Sequence, residues 1–153
     1  MRRIAHASLA ATTLIAAGWS ISASAQDGPE FLPLEGRTLP FSQAVQVGDT
    51  LYLAGQIGLA RGDSEGEANG IEAETRRAMD RIGETLAKYD LTHDALFKCT
   101  VWLADIDDFS AFNAVYRTYF KEGRFPTRST MAVKALAGGA AIEVECIAWN
   151  PQD

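Results

Sequence analysis

The run "FPTRSTMAVKAL", residues 125–136, places a guanidinium at Arg128, where a strand-like stretch begins just after a Pro. Downstream, "IEVECIA" carries two carboxylates, Glu143 and Glu145, on alternate positions. A guanidinium is a planar fork that matches a carboxylate in two parallel hydrogen bonds. A glutamate can hold a water and relay a proton when its surroundings tune it. Together they admit a carboxylate-binding Arg with an acid/base Glu nearby. Taken by themselves they favour the plainer reading, a structural ion pair, worth little if exposed.

The elements that must position these groups follow from periodicity. "AVQVGDTLYLAGQIGL" is two strand-like runs around Val47-Gly48-Asp49, a hairpin signal. "ARGDSEGEANG" is a polar, Gly-rich loop. Ile71, Thr75, Met79, Ile82, Leu86 and Tyr89 then recur at helical spacing and form one apolar stripe. In "ALFKCTVWLADI", Phe97, Cys99, Val101 and Leu103 share one face of a strand. "DDFSAFNAVYRTYFKEG" reads as a second helix, with Asp107 or Asp108 as N-cap and Gly123 past its end. "RSTMAVKAL" and "AAIEVECIAW" read as strands joined through Gly138-Gly139. The order β-β-α-β-α-β-β predicts an α+β two-layer fold, a mixed sheet with both helices on one face. The other sheet face, with Trp149, is expected to pack on another subunit.

Alternation places Ile142, Val144, Cys146 and Ala148 toward the helices, and Glu143, Glu145, Ile147 and Trp149 away from them. In the preceding strand Met131, Val133 and Ala135 take the core parity, and Arg128, Thr130, Ala132 and Lys134 the opposite one. If these last two strands pair as a hairpin, Arg128 and a glutamate share the helix-free face. Register decides which glutamate, and the turn length leaves it open.

Composition bounds the rest. The chain has 153 residues, 47% hydrophobic and 22% charged, about one domain with a real core. A net charge of −6 and no basic patch exclude nucleic acid as a partner. Arg2-Arg3, the apolar run from Leu9 to Trp19 and Ala23-Ser24-Ala25 predict a signal peptide over residues 1–25, rather than an uncleaved membrane anchor. Residues 26–38 are then an N-terminal extension and 39–150 the domain, periplasmic or secreted and free of the membrane after cleavage. Cys99 and Cys146, on different strands, admit a disulfide in an oxidising compartment, but two buried free thiols are the favoured expectation, because strand adjacency is not known. One His (His93, in a polar turn) and two core cysteines make no metal site. Trp102, opposite the core face of its strand, reads as interface packing.

The motifs "LPFSQAVQVGDTLYLAGQIGL", "DFSAFNAVYRTYF", "FPTRSTMAV" and "IEVECIA" occur in this order from about Leu39 to Ala148. Together they resemble the RidA/YjgF family of reactive-intermediate deaminases. The resemblance implies a chorismate-mutase-like α+β fold, assembled as a homotrimer with active sites in clefts between subunits. It implies hydrolysis of 2-imino or enamine acids, such as 2-aminoacrylate and its imine tautomer, to 2-keto acids and ammonia, with no metal or organic cofactor. Arg128 falls on the family's substrate-carboxylate Arg, and Glu143 on the glutamate that orders the attacking water. Gly55 and Asn113 match other positions lining the cleft. Three positions depart from the family: its Tyr is Phe41, its Ser is Ala54, and the Cys two residues after the Arg is Thr130. These changes make the pocket more apolar, which suits a bulkier or more hydrophobic imine. A rival expectation is a non-catalytic small-ligand-binding or chaperone-like trimer of the same fold.

Overall fold

The computed structural model describes residues 28–36, 38–59 and 70–152. The leader read at residues 1–25 and nearly all of the polar loop at 60–70 lie outside them. The strands are β1 (Glu30–Leu32), β2 (Ala44–Val47), β3 (Thr50–Leu53), β4 (Gln56–Ile57), β5 (Leu96–Leu103), β6 (Thr127–Ala132) and β7 (Ile142–Trp149). The helices are α1 (Ile71–Ala87) and α2 (Phe109–Tyr116). One mixed sheet runs β1-β2-β3-β7-β5-β6, with β4 pairing β7 beyond the end of β3. β2 and β3 form the expected hairpin, whose turn uses Gly48 at φ 52, a left-handed backbone that glycine adopts without strain. β1, preceding the domain as read from sequence, pairs antiparallel with β2 at the sheet edge.

Both helices cover one sheet face, as the α+β reading requires. The α1 stripe is buried along Thr75, Ala78, Met79, Ile82 and Leu86. It packs on Leu51, Leu53, Cys99, Val101, Leu103, Ile142, Val144, Cys146 and Ala148 of the sheet, with Phe112 and Tyr116 of α2. α1 also fastens the segment that follows β4. Arg77 donates to the Gly58 carbonyl at 2.6 Å, and Arg81 to the carbonyls of Ile57 and of Leu59, the latter at 2.6 Å. A Cβ on Gly58 would stand 2.3 Å from the Glu74 backbone, so only glycine lets strand and helix approach this closely.

Several expectations are corrected. β6 and β7 are not a hairpin: β5 lies between them, parallel to β6 and antiparallel to β7. The β5-α2-β6 crossover therefore spends the second helix on joining parallel strands. Partners across a sheet point the same way, and Arg128 pairs with buried Cys99, Thr130 with buried Val101, and Met131 with Trp102. The parity read for β6 is thus inverted. Arg128 and Thr130 face the helices, while Met131 is exposed on the open face.

At the start of β5 a register shift between Leu96 and Lys98 buries Leu96 and leaves Phe97 exposed. Asp108 stands at the N-cap of α2, as expected, but its side chain makes no capping bond; Asp105 caps the short 3-10 turn ahead of it, accepting from the Asp107 amide at 2.9 Å. Finally, Cys99 and Cys146 are not free thiols. They stand opposite each other on β5 and β7, Cα atoms 4.1 Å apart, and form a disulfide. The pairing escaped the sequence reading because β5–β7 adjacency is non-local.

Candidate active site

Arg128 emerges from the edge strand β6 beneath α2. Phe109, Phe112 and Tyr116 recur along that helix at spacings of three and four and share a face. Their ring centroids lie 5.7, 4.9 and 4.7 Å from the Arg128 guanidinium carbon, within cation–π range. Arg128 Nη2 donates to Asn113 Oδ1 at 2.9 Å. Asn113, Tyr116, Arg117, Phe125, Pro126 and Arg128 line a cavity of about 420 Å³. The arrangement presents a fixed, always-charged fork at a pocket wall, with rings in place of water behind it.

Two hydroxyls on this side are buried with no hydrogen-bond partner, those of Tyr116 and Thr130. Burial pushes the Tyr116 phenol up to about 12. The nearby Arg128 charge and a weak hydrogen-bonding approach of its side chain oppose the rise, although the geometry falls short of a well-formed bond.

Glu143 leaves β7 on the opposite face, paired across β5 with Trp102. It lines a second cavity of about 620 Å³, with Phe31, Phe41, Tyr52, Ala54 and Gly55 among the walls. A Cβ on Gly55 would meet Glu143 Oε1 at 2.3 Å, so the carboxylate occupies the space that a side chain would take. Burial raises the Glu143 pKa above the usual carboxylate value, and the like charge of Glu145, two residues on along the same face, adds to it. A carboxyl tuned upward in a largely apolar cavity is suited to exchanging a proton with a bound water.

The residues singled out from sequence thus separate into two groups, candidate half-sites on opposite sheet faces. Phe41, Ala54, Gly55 and Glu143 come together in one cavity. Arg128 and Asn113 come together in the other, with Thr130 two residues along the same strand face. Arg128 and Glu143 are not brought together within one chain, because the sheet lies between them. The sequence reading missed Phe109, Phe112 and Tyr116. Their signal was present as an aromatic stripe flanking Asn113, but core packing explains such a stripe equally well. Among the described residues, no group of three or more His, Cys, Asp or Glu side chains could hold a metal ion.

Comparison with known proteins bears on this geometry. The family model described as Endoribonuclease L-PSP matches residues 36–150. The mouse protein named 2-iminobutanoate/2-iminopropanoate deaminase is 39% identical over 109 residues, covering 71% of this chain and 80% of the relative. The human protein of the same name is also 39% identical over 109 residues, covering 71% and 79%. Among solved structures, the Rid family protein YyfA of Yersinia pestis superposes with a TM-score of 0.69 at 33% identity, covering 80% of this chain and 99% of that one. With the family model spanning both half-sites and the fold matching along the domain, this chain belongs to the Endoribonuclease L-PSP family, that of the RidA/YjgF proteins its motifs resemble.

Proposed function

We propose that this protein is an imine deaminase, hydrolysing 2-imino and 2-enamino acids to 2-keto acids and ammonia. The observation that carries this reading is the pair of half-sites: a guanidinium fork backed by Asn113, and an upward-tuned carboxylate against Gly55. The names of relatives at about this identity agree with it. In this reading Arg128 grips the substrate carboxylate in two parallel hydrogen bonds. Glu143, helped by a backbone group at Thr130, holds a water against the imine carbon. The water oxygen bonds to that carbon, Glu143 takes a water proton and passes it to nitrogen, and the carbinolamine expels ammonia as the carbonyl forms. Imines hydrolyse readily, so positioning and proton relay are what the protein must supply. Phe41 and Ala54 form an apolar wall with Phe31, which favours side chains larger than methyl. The net charge of −6 weighs against RNA as the substrate.

Because one chain holds the two halves on opposite sheet faces, the reading calls for a second copy. A homotrimer in which the open face of one subunit meets the Arg128 edge of the next would complete each site. Phe31, Val47, Tyr52, Met131 and Trp149, all exposed in the single chain, supply the apolar surface for such contacts. In this reading the protein is exported, which the leader-like residues 1–25 and the Cys99–Cys146 disulfide support.

The test is release of ammonia and keto acid from freshly generated imino acids by the purified mature protein. Acceleration that disappears in Arg128→Ala is expected. No acceleration with any imine, while carboxylates still bind, would replace the deaminase reading with the non-catalytic binding trimer.

A further inference from the structure

α2 is built as a cradle for one guanidinium, yet its three rings are not equivalent. Phe109 and Phe112 offer only π faces to Arg128. Tyr116 stands nearest, at 4.7 Å, and adds an oxygen. The residue is 3% exposed, and its hydroxyl is shut from water without a hydrogen-bond partner. An unpaired buried hydroxyl opposes folding, and a Phe would fill the same space without that cost. Packing alone therefore gives no reason for the oxygen.

The donor inventory of Arg128 supplies one. A guanidinium carries five N–H groups. One points to Asn113 Oδ1, and a carboxylate ligand would take two from one edge. Those left over lie against α2, where Phe109 and Phe112 accept nothing and Tyr116 has an available lone pair. We propose that Tyr116 is a positioning residue for Arg128, its ring backing the guanidinium and its phenol oxygen accepting an N–H as the fork turns onto a carboxylate ligand. This rests on the reading of Arg128 as the carboxylate anchor. It adds a residue that the motif comparison did not assign. The phenol acts as an acceptor here and keeps its own proton, so no charge is added beside the ligand carboxylate.

The experiment compares wild type, Tyr116→Phe, Tyr116→Leu, Arg128→Lys and the Tyr116→Phe/Arg128→Lys double variant, each as the intact oligomer. Calorimetry measures the Kd of 2-oxobutanoate, a stable keto acid. Steady-state kinetics measure KM and kcat with an imino acid, and thermal unfolding measures Tm. Tyr116→Phe is expected to weaken binding about 5- to 10-fold, the scale of one net intramolecular hydrogen bond. The loss falls on KM rather than kcat, with Tm equal to wild type or higher. Tyr116→Leu, which removes the ring as well, weakens binding further. In the Arg128→Lys background, where the planar fork is gone, Tyr116→Phe adds less than about 2-fold. Wild-type affinity in Tyr116→Phe overturns the proposal, as does an equal loss in both backgrounds. If imines are not hydrolysed but 2-oxobutanoate binding follows this pattern, the deaminase reading fails and the role of Tyr116 stands.

Discussion

At the scale of single residues, Gly55 and Glu143 occupy one space. The Cβ of Gly55→Ala would overlap the carboxylate, the movable end of a flexible side chain, rather than backbone. Little loss of Tm is therefore expected, but displacement of Glu143 should cost about 10- to 100-fold in kcat/KM, the scale of a misplaced catalytic group. Ammonia release and thermal unfolding on the same preparation separate the two effects. Glu143 also sets a pH dependence. Its raised pKa means the folded state holds the proton more tightly than the unfolded chain. Stability falls as pH rises from the unfolded value through the folded one, and the full cost persists above it. Glu143→Gln should therefore unfold at a Tm no lower than wild type at neutral pH, with the difference vanishing in acid. Activity runs the other way: kcat/KM should rise with pH through the same raised pKa as the proton-accepting form appears. Wild type should show this limb and Glu143→Gln should lack it. A residual-activity profile in Glu143→Gln that retains the limb would remove Glu143 from the proton relay.

At the scale of elements, the disulfide joins the strands next to both half-sites. Cys99 is the sheet partner of Arg128, and Cys146 lies on β7 with Glu143. Closing a loop with sequence separation 47 restricts the unfolded chain by about 4 kcal/mol in the chain-entropy model. Cys99→Ala/Cys146→Ala is expected to lose about 2–4 kcal/mol of unfolding free energy, read by denaturant titration against the oxidised wild type. Reductant should shift the wild-type midpoint in the same direction and leave the double variant unchanged. Element by element, α1 was plain from sequence because a helix buried on one side writes its stripe every three or four residues, and Thr75, Met79, Ile82 and Leu86 are all buried. β7 was plain for the same kind of reason, as alternate positions lie between solvent and core. β6 was not. It is an edge strand whose Met131 is exposed and whose helix side receives an Arg among aromatic rings, so apolarity there does not mark the core side.

At the scale of the whole molecule, the sheet between Arg128 and Glu143 makes a strong demand. Neither half-site acts alone if catalysis needs both, so monomers should be inactive. Sedimentation is expected to show a trimer. Trp149→Asp, placing a charge on the open face, should dissociate it and abolish activity together. Complementation is the sharper measurement. Arg128→Ala and Glu143→Gln subunits, each with only residual activity alone, should recover activity when refolded together at equal ratio. If each site takes its Arg from one subunit and its Glu from the next, random assembly restores about a quarter of the wild-type sites. Recovery of none would place both groups in a site built from one chain, against the observed topology.

Fold class, the helix stripes and the hairpin at Gly48 were legible in the sequence itself, and its motifs singled out Arg128, Glu143, Gly55 and Asn113 as candidates. Each rests on local periodicity, on turn chemistry or on motifs read in order. What only the tertiary structure decided were the relations between distant strands. It inserted β5 between β6 and β7, turned Arg128 under α2, set Glu143 on the other face and brought Cys99 against Cys146. The physical reason is that alternation along a strand tells which residues share a face but not which face is which. That choice is made by the neighbours a strand pairs with and by the helix that covers it. For an edge strand carrying an Arg, only the aromatic cradle on α2 settles it.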